Sequence, residues 1–117
     1  EMPSHDPQRA AVENVIARIS RSPGEELTMA EMARIAALSE YHFIRVFKRT
    51  VGVTPRQYLI AARMNQAKYL LAHTELTVAD IARQAGYASE SMFCMTFKKT
   101  QGMTPASFRL GREEKKE

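Results

Sequence analysis

The chain has a single cysteine, Cys94, which excludes an internal disulfide and any zinc site built on several thiolates. No apolar run approaches the roughly 18 residues of a membrane span, and the opening EMPSHDPQRA has no apolar segment of the kind a signal peptide needs. The compartment to expect is therefore a reducing cytoplasm. There is no glycine-rich phosphate loop and no pair of carboxylates spaced for acid–base work. No Ser/His/Asp or Cys/His set has a geometry that the sequence implies. Nothing places His5, His42 and His73 together, so neither a metal nor a cofactor is expected, and the reading is of a non-enzyme. The alternation of apolar and polar residues that marks a half-buried strand is also missing.

What is present is a globular composition with a local excess of positive charge. The 117 residues suit one domain or two small ones, 44% of them are hydrophobic, and the net charge is +4. Glu25, Glu26 and Glu31 lie together upstream, whereas Arg45, Lys48, Arg49, Arg56, Arg63 and Lys68 follow with only Glu40 opposing them. That distribution favours an anionic partner.

One stretch occurs twice. Ser39 to Tyr58 reads SEYHFIRVFKRTVGVTPRQY, and Ser89 to Phe108 reads SESMFCMTFKKTQGMTPASF, with about half of the aligned positions identical at one constant offset. A repeat fixes architecture before any residue-level argument does.

Helix signals fill the rest of the chain. Asp6-Pro7 starts a helix, with Val12, Val15, Ile16 and Ile19 as its buried face. Thr28 and Glu31 form a capping box for a second, short helix containing Met29, Met32, Ala33 and Ala36. Ser39 caps a third helix to about Val51, closed by Gly52. A fourth runs from Thr54-Pro55 to about Ala72, with Tyr58, Leu59, Ala62, Gln66, Leu70 and Leu71 on its buried side. Thr77 caps a fifth helix with Val78, Ile81, Ala82 and Ala85. Ser89 caps a sixth, closed by Gly102, and Thr104-Pro105 opens a short seventh with Phe108. The predicted fold class is all-α: two helix-turn-helix (homeodomain-like) subdomains at 8–53 and 74–110, a long linker helix at 54–73, a frayed tail at 111–117, and about seven helices in total.

In the DNA-binding form of the helix-turn-helix, the second helix lies in the major groove. The third helix has the two faces this needs. Phe43, Val46, Phe47 and Thr50 form the core side, and Tyr41, Ile44, Arg45 and Lys48 the outer side. Arginine bonds guanine edges bidentately, and apolar atoms meet thymine methyls. Lys48 and Arg49 are placed for phosphates. In the second copy Phe93 and Phe97 are core, Ser91, Cys94, Met95 and Lys98 face outward, and Lys98 and Lys99 keep the phosphate-type charge. The starts of the fourth and seventh helices, at Thr54 and Thr104, offer free N–H groups and a positive dipole end to phosphate, with Arg56 adding charge in the first only. A helical protein-interaction module, docking on RNA polymerase with weak DNA affinity, is the alternative.

These residues carry a resemblance. Ile81-Ala82-Arg83-Gln84-Ala85-Gly86-Tyr87, Ser89, Ser91, Phe93, Phe97-Lys98-Lys99 and Gly102-Met103-Thr104-Pro105 are similar to the signature of AraC/XylS-family transcriptional regulators. Leu38-Ser39, Tyr41, Phe43, Arg45, Phe47-Lys48 and Gly52 match it in the first copy, as does Arg63 to Leu71 on the linker. The resemblance implies two recognition helices in successive major-groove segments of duplex DNA, and a linker of roughly 27 Å suits sites about 34 Å apart. It implies base-facing positions at Tyr41, His42, Ile44 and Arg45, and at Glu90, Ser91, Met92, Cys94 and Met95, and a pair between Arg63 and Asp80. RNA polymerase, the docking target of the alternative reading, is the further candidate partner. A separate effector or dimerisation domain follows if this is an excised fragment, which is the form we expect, rather than a stand-alone protein.

Overall fold

The computed structural model describes residues 6–115, and these form seven α-helices and no strand. They group into two compact units, one up to Ala61 and one from Ala62 onward. In the first, α1 (Pro7–Arg21), α2 (Met29–Ala36) and α3 (Glu40–Val51) pack on one another. In the second, α5 (Val78–Gln84) packs on α6 (Glu90–Gln101), and α6 on α7 (Pro105–Lys115). The helix α4 (Pro55–His73) begins in the first unit and ends in the second.

Local hydrogen bonds explain where each helix starts. Asp6 Oδ1 accepts from the Gln8 amide at 3.0 Å, with Pro7 at the first helical position where no amide is needed. The Thr28–Glu31 box closes in both directions: Thr28 Oγ1 accepts from the Glu31 amide at 3.1 Å, and the Thr28 amide donates to Glu31 Oε1 at 2.8 Å. Ser39 Oγ accepts from the His42 amide at 3.2 Å and Ser89 Oγ from the Met92 amide at 3.1 Å, so α3 and α6 start on the same device. Both end on a glycine in the left-handed region, Gly52 at φ 98° and Gly102 at φ 85°.

The turn inside each helix-turn-helix also repeats, with one change. In the first unit the amides of Ala37 and Leu38 donate to the carbonyls of Arg34 and Ala33; in the second those of Gly86 and Tyr87 donate to Arg83 and Ala82. This is the Schellman arrangement, which needs a left-handed residue at its centre. Gly86 supplies it at φ 93°, whereas the first unit places Ala37 there at φ 60°.

The cores are aromatic and equivalent. Phe43 meets Phe47 at 5.6 Å between ring centroids, and Phe47 meets Tyr58 at 5.7 Å. In the second unit Phe93–Phe97 and Phe97–Phe108 are both 5.8 Å apart. All four of Phe43, Phe47, Phe93 and Phe97 are fully buried. Each such side chain stabilises its unit by about 3–5 kcal/mol relative to alanine. Arg109 of α7 donates to the carbonyls of Leu71 and Thr74 at 3.2 and 3.1 Å, satisfying acceptors at the C-terminal end of α4 with a cation that suits its dipole.

Some expectations need correction. Thr50 is exposed rather than core, lying in the last turn of α3, one turn beyond the buried Val46. On α4 the fully buried positions include Met64 and Ala67 beside Leu59 and Leu71, while Tyr58, Ala62, Gln66 and Leu70 are only half-buried. The helix α7 continues to Lys115 with Gly111 inside it, and residues 116–117 lie outside the described residues.

Candidate nucleic-acid interface

The burial of Phe43, Val46 and Phe47 fixes the roll of α3, and at about 100° per residue this turns Tyr41, Arg45 and Lys48 directly away from the core. Tyr41 is 71% exposed. Its hydroxyl accepts from Arg45 Nη1 at 3.0 Å, and the Arg45 guanidinium carbon lies 5.6 Å from its ring centroid. The two are four residues apart and so neighbours on one face. The arginine is thereby held over the tyrosine, with the rest of its planar donor fork pointing outward. Ile44 is half-buried at one flank of this face.

His42 and Arg49 lie on the other flank, where they meet a residue distant in the chain. Gln8, at the start of α1, touches both: its Oε1 accepts from Arg49 Nη2 at 3.1 Å, and its Nε2 lies 3.4 Å from His42 Nε2. These contacts span 41 and 34 residues of chain, so no local motif announces them.

The outer face of α6 has the same geometry and different chemistry. Ser91, Met95 and Lys98 occupy the places of Tyr41, Arg45 and Lys48, with Met95 69% and Met92 54% exposed. Lys99 is exposed as well, and Glu90 lies in the first turn. Cys94 is half-buried, and burial, then the Glu90 carboxylate, push its thiol above the ordinary value. That keeps it a neutral thiol and a poor nucleophile at physiological pH.

The two helix starts differ from the simple expectation of free amides. Thr54 Oγ1 accepts from the Gln57 amide at 3.1 Å, and the Thr54 amide donates to Gln57 Oε1 at 2.9 Å. The hydroxyl of Thr54 is therefore committed to a capping box. Pro55 has no amide, so the first-turn N–H left over is that of Arg56, whose side chain is exposed. At α7, Thr104 Oγ1 accepts from the Ser107 amide at 3.1 Å and its hydroxyl donates to Ser107 Oγ at 3.0 Å, leaving the Ala106 amide.

Asp80 and Arg63, the expected pair, are each seen with another residue. Asp80 bonds Arg83, one turn along its own helix, which needs no long-range alignment. The Arg63 guanidinium instead lies 5.8 Å from the ring centroid of Tyr87. Among the described residues no group of His, Cys, Asp and Glu is placed to hold a metal ion, and no helix is long and apolar enough to cross a membrane. His42 meets Gln8 and His73 packs against Tyr69 at 4.5 Å, while His5 lies outside the described residues.

Comparison with known proteins agrees with this geometry. A helix-turn-helix domain family matches residues 32–111. The DNA-binding domain of AdpA, a global transcriptional factor solved in complex with a target DNA, superposes with a TM-score of 0.86 at 27% identity, over 90% of this chain and 95% of that one. An AraC-type DNA-binding-domain protein from Chromobacterium violaceum has the same fold, with a TM-score of 0.81 at 24% identity over 89% of this chain and 93% of that one. The chain belongs to the AraC/XylS family of helix-turn-helix proteins. Among curated AraC-type relatives, the bifunctional transcriptional activator/DNA repair enzyme AdaA of Bacillus subtilis (strain 168) is 36% identical over 103 residues, 88% of this chain and 49% of its own length. The melibiose operon regulatory protein of Escherichia coli (strain K12) is 33% identical over 98 residues, 84% of this chain and 32% of its own length. The chain spans about a third to a half of the length of these two relatives.

Proposed function

We propose that this chain binds duplex DNA in a sequence-specific manner and so regulates transcription, the second helix of each helix-turn-helix, α3 or α6, lying in a major-groove segment. The observation that carries this reading is the outward pair of Tyr41 and Arg45, a directional donor fork held on the face of α3 opposite the core. Such a fork matches the O6 and N7 acceptors of guanine. On this reading Tyr41, Ile44 and Arg45 meet bases, with His42 beside them, and Lys48, Arg49 and Arg56 meet phosphates. In the second unit Ser91, Met92, Cys94 and Met95 lie against base edges, Glu90 stands at the helix start, and Lys98 and Lys99 hold the backbone. Thr54 and Thr104 act by shaping the helix starts that present the Arg56 and Ala106 amides to phosphate.

Selection of bound sequences from a random duplex pool tests the proposal. An enriched motif that loses one base position with Arg45→Ala supports it, and no enrichment refutes it. Footprinting then tests whether one molecule covers two major-groove segments; protection of a single short half-site refutes that part. The exposed Met92 and Met95 favour a second reading, a docking surface for a protein such as RNA polymerase. Steep loss of affinity with salt separates the two, because only the DNA complex releases phosphate counterions. For the longer protein to which such a chain commonly belongs in this family, a cytoplasmic location and a separate effector or dimerisation domain complete the proposal. The repair activity in AdaA's name is that protein's own, and no reaction is proposed here.

A further inference from the structure

Gln8, which lies outside α3, engages with its side chain two of the side chains proposed to face DNA. It sits in the first turn of α1, its own amide held by the Asp6 cap at 3.0 Å, so its backbone is fixed. Arg49 and His42 are seven residues apart, two turns along the same flank of α3. Helical side chains lean toward the N-terminus. The long Arg49 side chain therefore carries its guanidinium back along the helix toward His42, and Gln8 closes the gap. The orientation of the amide follows from the same contacts. Because Oε1 is used by Arg49 Nη2, the amide nitrogen is what faces His42, and a bond there requires an unprotonated Nε2 and a ring proton on Nδ1.

We propose that Gln8 is a positioning residue of the DNA interface: it holds Arg49 against the N-terminal half of α3, where a phosphate flanking the base-reading residues would lie, and fixes His42 in the Nδ1–H form. This rests on the DNA-binding reading above. Arginine carries substantial rotamer freedom, and an acceptor supplied by a neighbouring helix removes part of that freedom before the DNA arrives, which is preorganisation rather than a new contact.

The test uses the whole chain and a duplex recovered from the random pool, with wild type, Gln8→Met, Arg49→Ala and the double variant. Methionine keeps the length of the side chain and deletes its hydrogen bonds. Gln8→Met should weaken binding to the preferred duplex about threefold to tenfold. The double variant should match Arg49→Ala within about twofold. Nitrogen-15 spectra of the free protein should show the Nδ1–H form of His42 in the wild type and a mixture in Gln8→Met. Wild-type affinity in Gln8→Met, losses that multiply in the double variant, or an unchanged His42 form would each overturn the role of Gln8 while leaving DNA binding intact. A wild-type chain that selects no duplex would instead remove the DNA reading, and the proposal with it.

Discussion

Replacing Arg45 by alanine separates base reading from simple charge attraction. Arg45 is exposed, and it meets Tyr41 through a 3.0 Å hydrogen bond and a ring face at 5.6 Å. The folded chain should therefore lose less than about 0.5 kcal/mol, the range of ordinary surface changes, and a change in affinity can be read as a change at the interface. A bidentate arginine–guanine contact discriminates by about 1–3 kcal/mol, so Arg45→Ala should weaken the preferred duplex by about 5- to 150-fold. It should also make one base position indifferent. Tyr41→Phe deletes the hydroxyl and keeps the ring face, so it should cost about 0.5–1.5 kcal/mol. Met95→Ala, at the equivalent place on α6, removes only dispersion contacts and should cost less than Arg45→Ala. Anisotropy titrations at one fixed salt concentration, on the preferred duplex and its single-base variants, measure all three. A uniform loss on every duplex with Arg45→Ala, or a larger loss with Met95→Ala, would refute the argument.

Three further outcomes follow from the backbone and its caps. Ala37→Gly should stabilise the first unit by about 0.5–1 kcal/mol, since the left-handed position penalises alanine by more than glycine gains in unfolded-state entropy; a lower denaturation midpoint would count against the strain argument. Thr54→Ala should destabilise by about 1 kcal/mol through loss of the cap and weaken all duplexes alike, with Thr54→Ser restoring both; a sequence-selective loss would show a direct base role instead. The Thr28 backbone and side-chain bonds hold Glu31 below the usual carboxylate range. Its folded value is depressed, so its contribution is present above the unfolded value and is lost as pH falls through the folded one. The stability advantage of wild type over Glu31→Gln should thus vanish on acidification, and an advantage independent of pH in a denaturant titration would disprove the linkage.

Elements set by neighbours in the chain could be read from the sequence, and contacts between distant elements could not. The helix starts at Asp6, Thr28, Ser39, Thr77 and Ser89 are decided within three residues, and each lies where its side chain predicts. The paired phenylalanines were readable because the repeat shows them twice. On α4 the pattern misled, because the helix contributes its first residues to one unit and its later ones to the other, so its apolar positions do not follow a single stripe. The Asp80–Arg83 pair, one turn apart on α5, is a local contact of the kind that spacing along a helix offers. Gln8 carries no signal at all: a glutamine at a helix start looks like any solvated residue until the fold brings α1 beside α3.

The two copies also show which constraints a repeat obeys. Phe43, Phe47 and Tyr58 recur as Phe93, Phe97 and Phe108 because the middle ring of each set must fit both of its neighbours in the core, where a lost methylene is felt. The Schellman turn recurs even though its central residue is Ala37 in one copy and Gly86 in the other, so what is kept there is the backbone path rather than the residue. The outward faces answer to no internal constraint of this kind, and there the copies part: Tyr41 and Arg45 against Ser91 and Met95, Arg49 held by Gln8 against an exposed Lys99. Directional donors discriminate between base pairs, whereas a thioether adapts to whatever surface it meets. On the DNA-binding reading, then, the first unit sets sequence preference and the second adds affinity that tolerates sequence. Transferring tyrosine and arginine to positions 91 and 95 should give α6 a base preference of its own without disturbing the core beneath it.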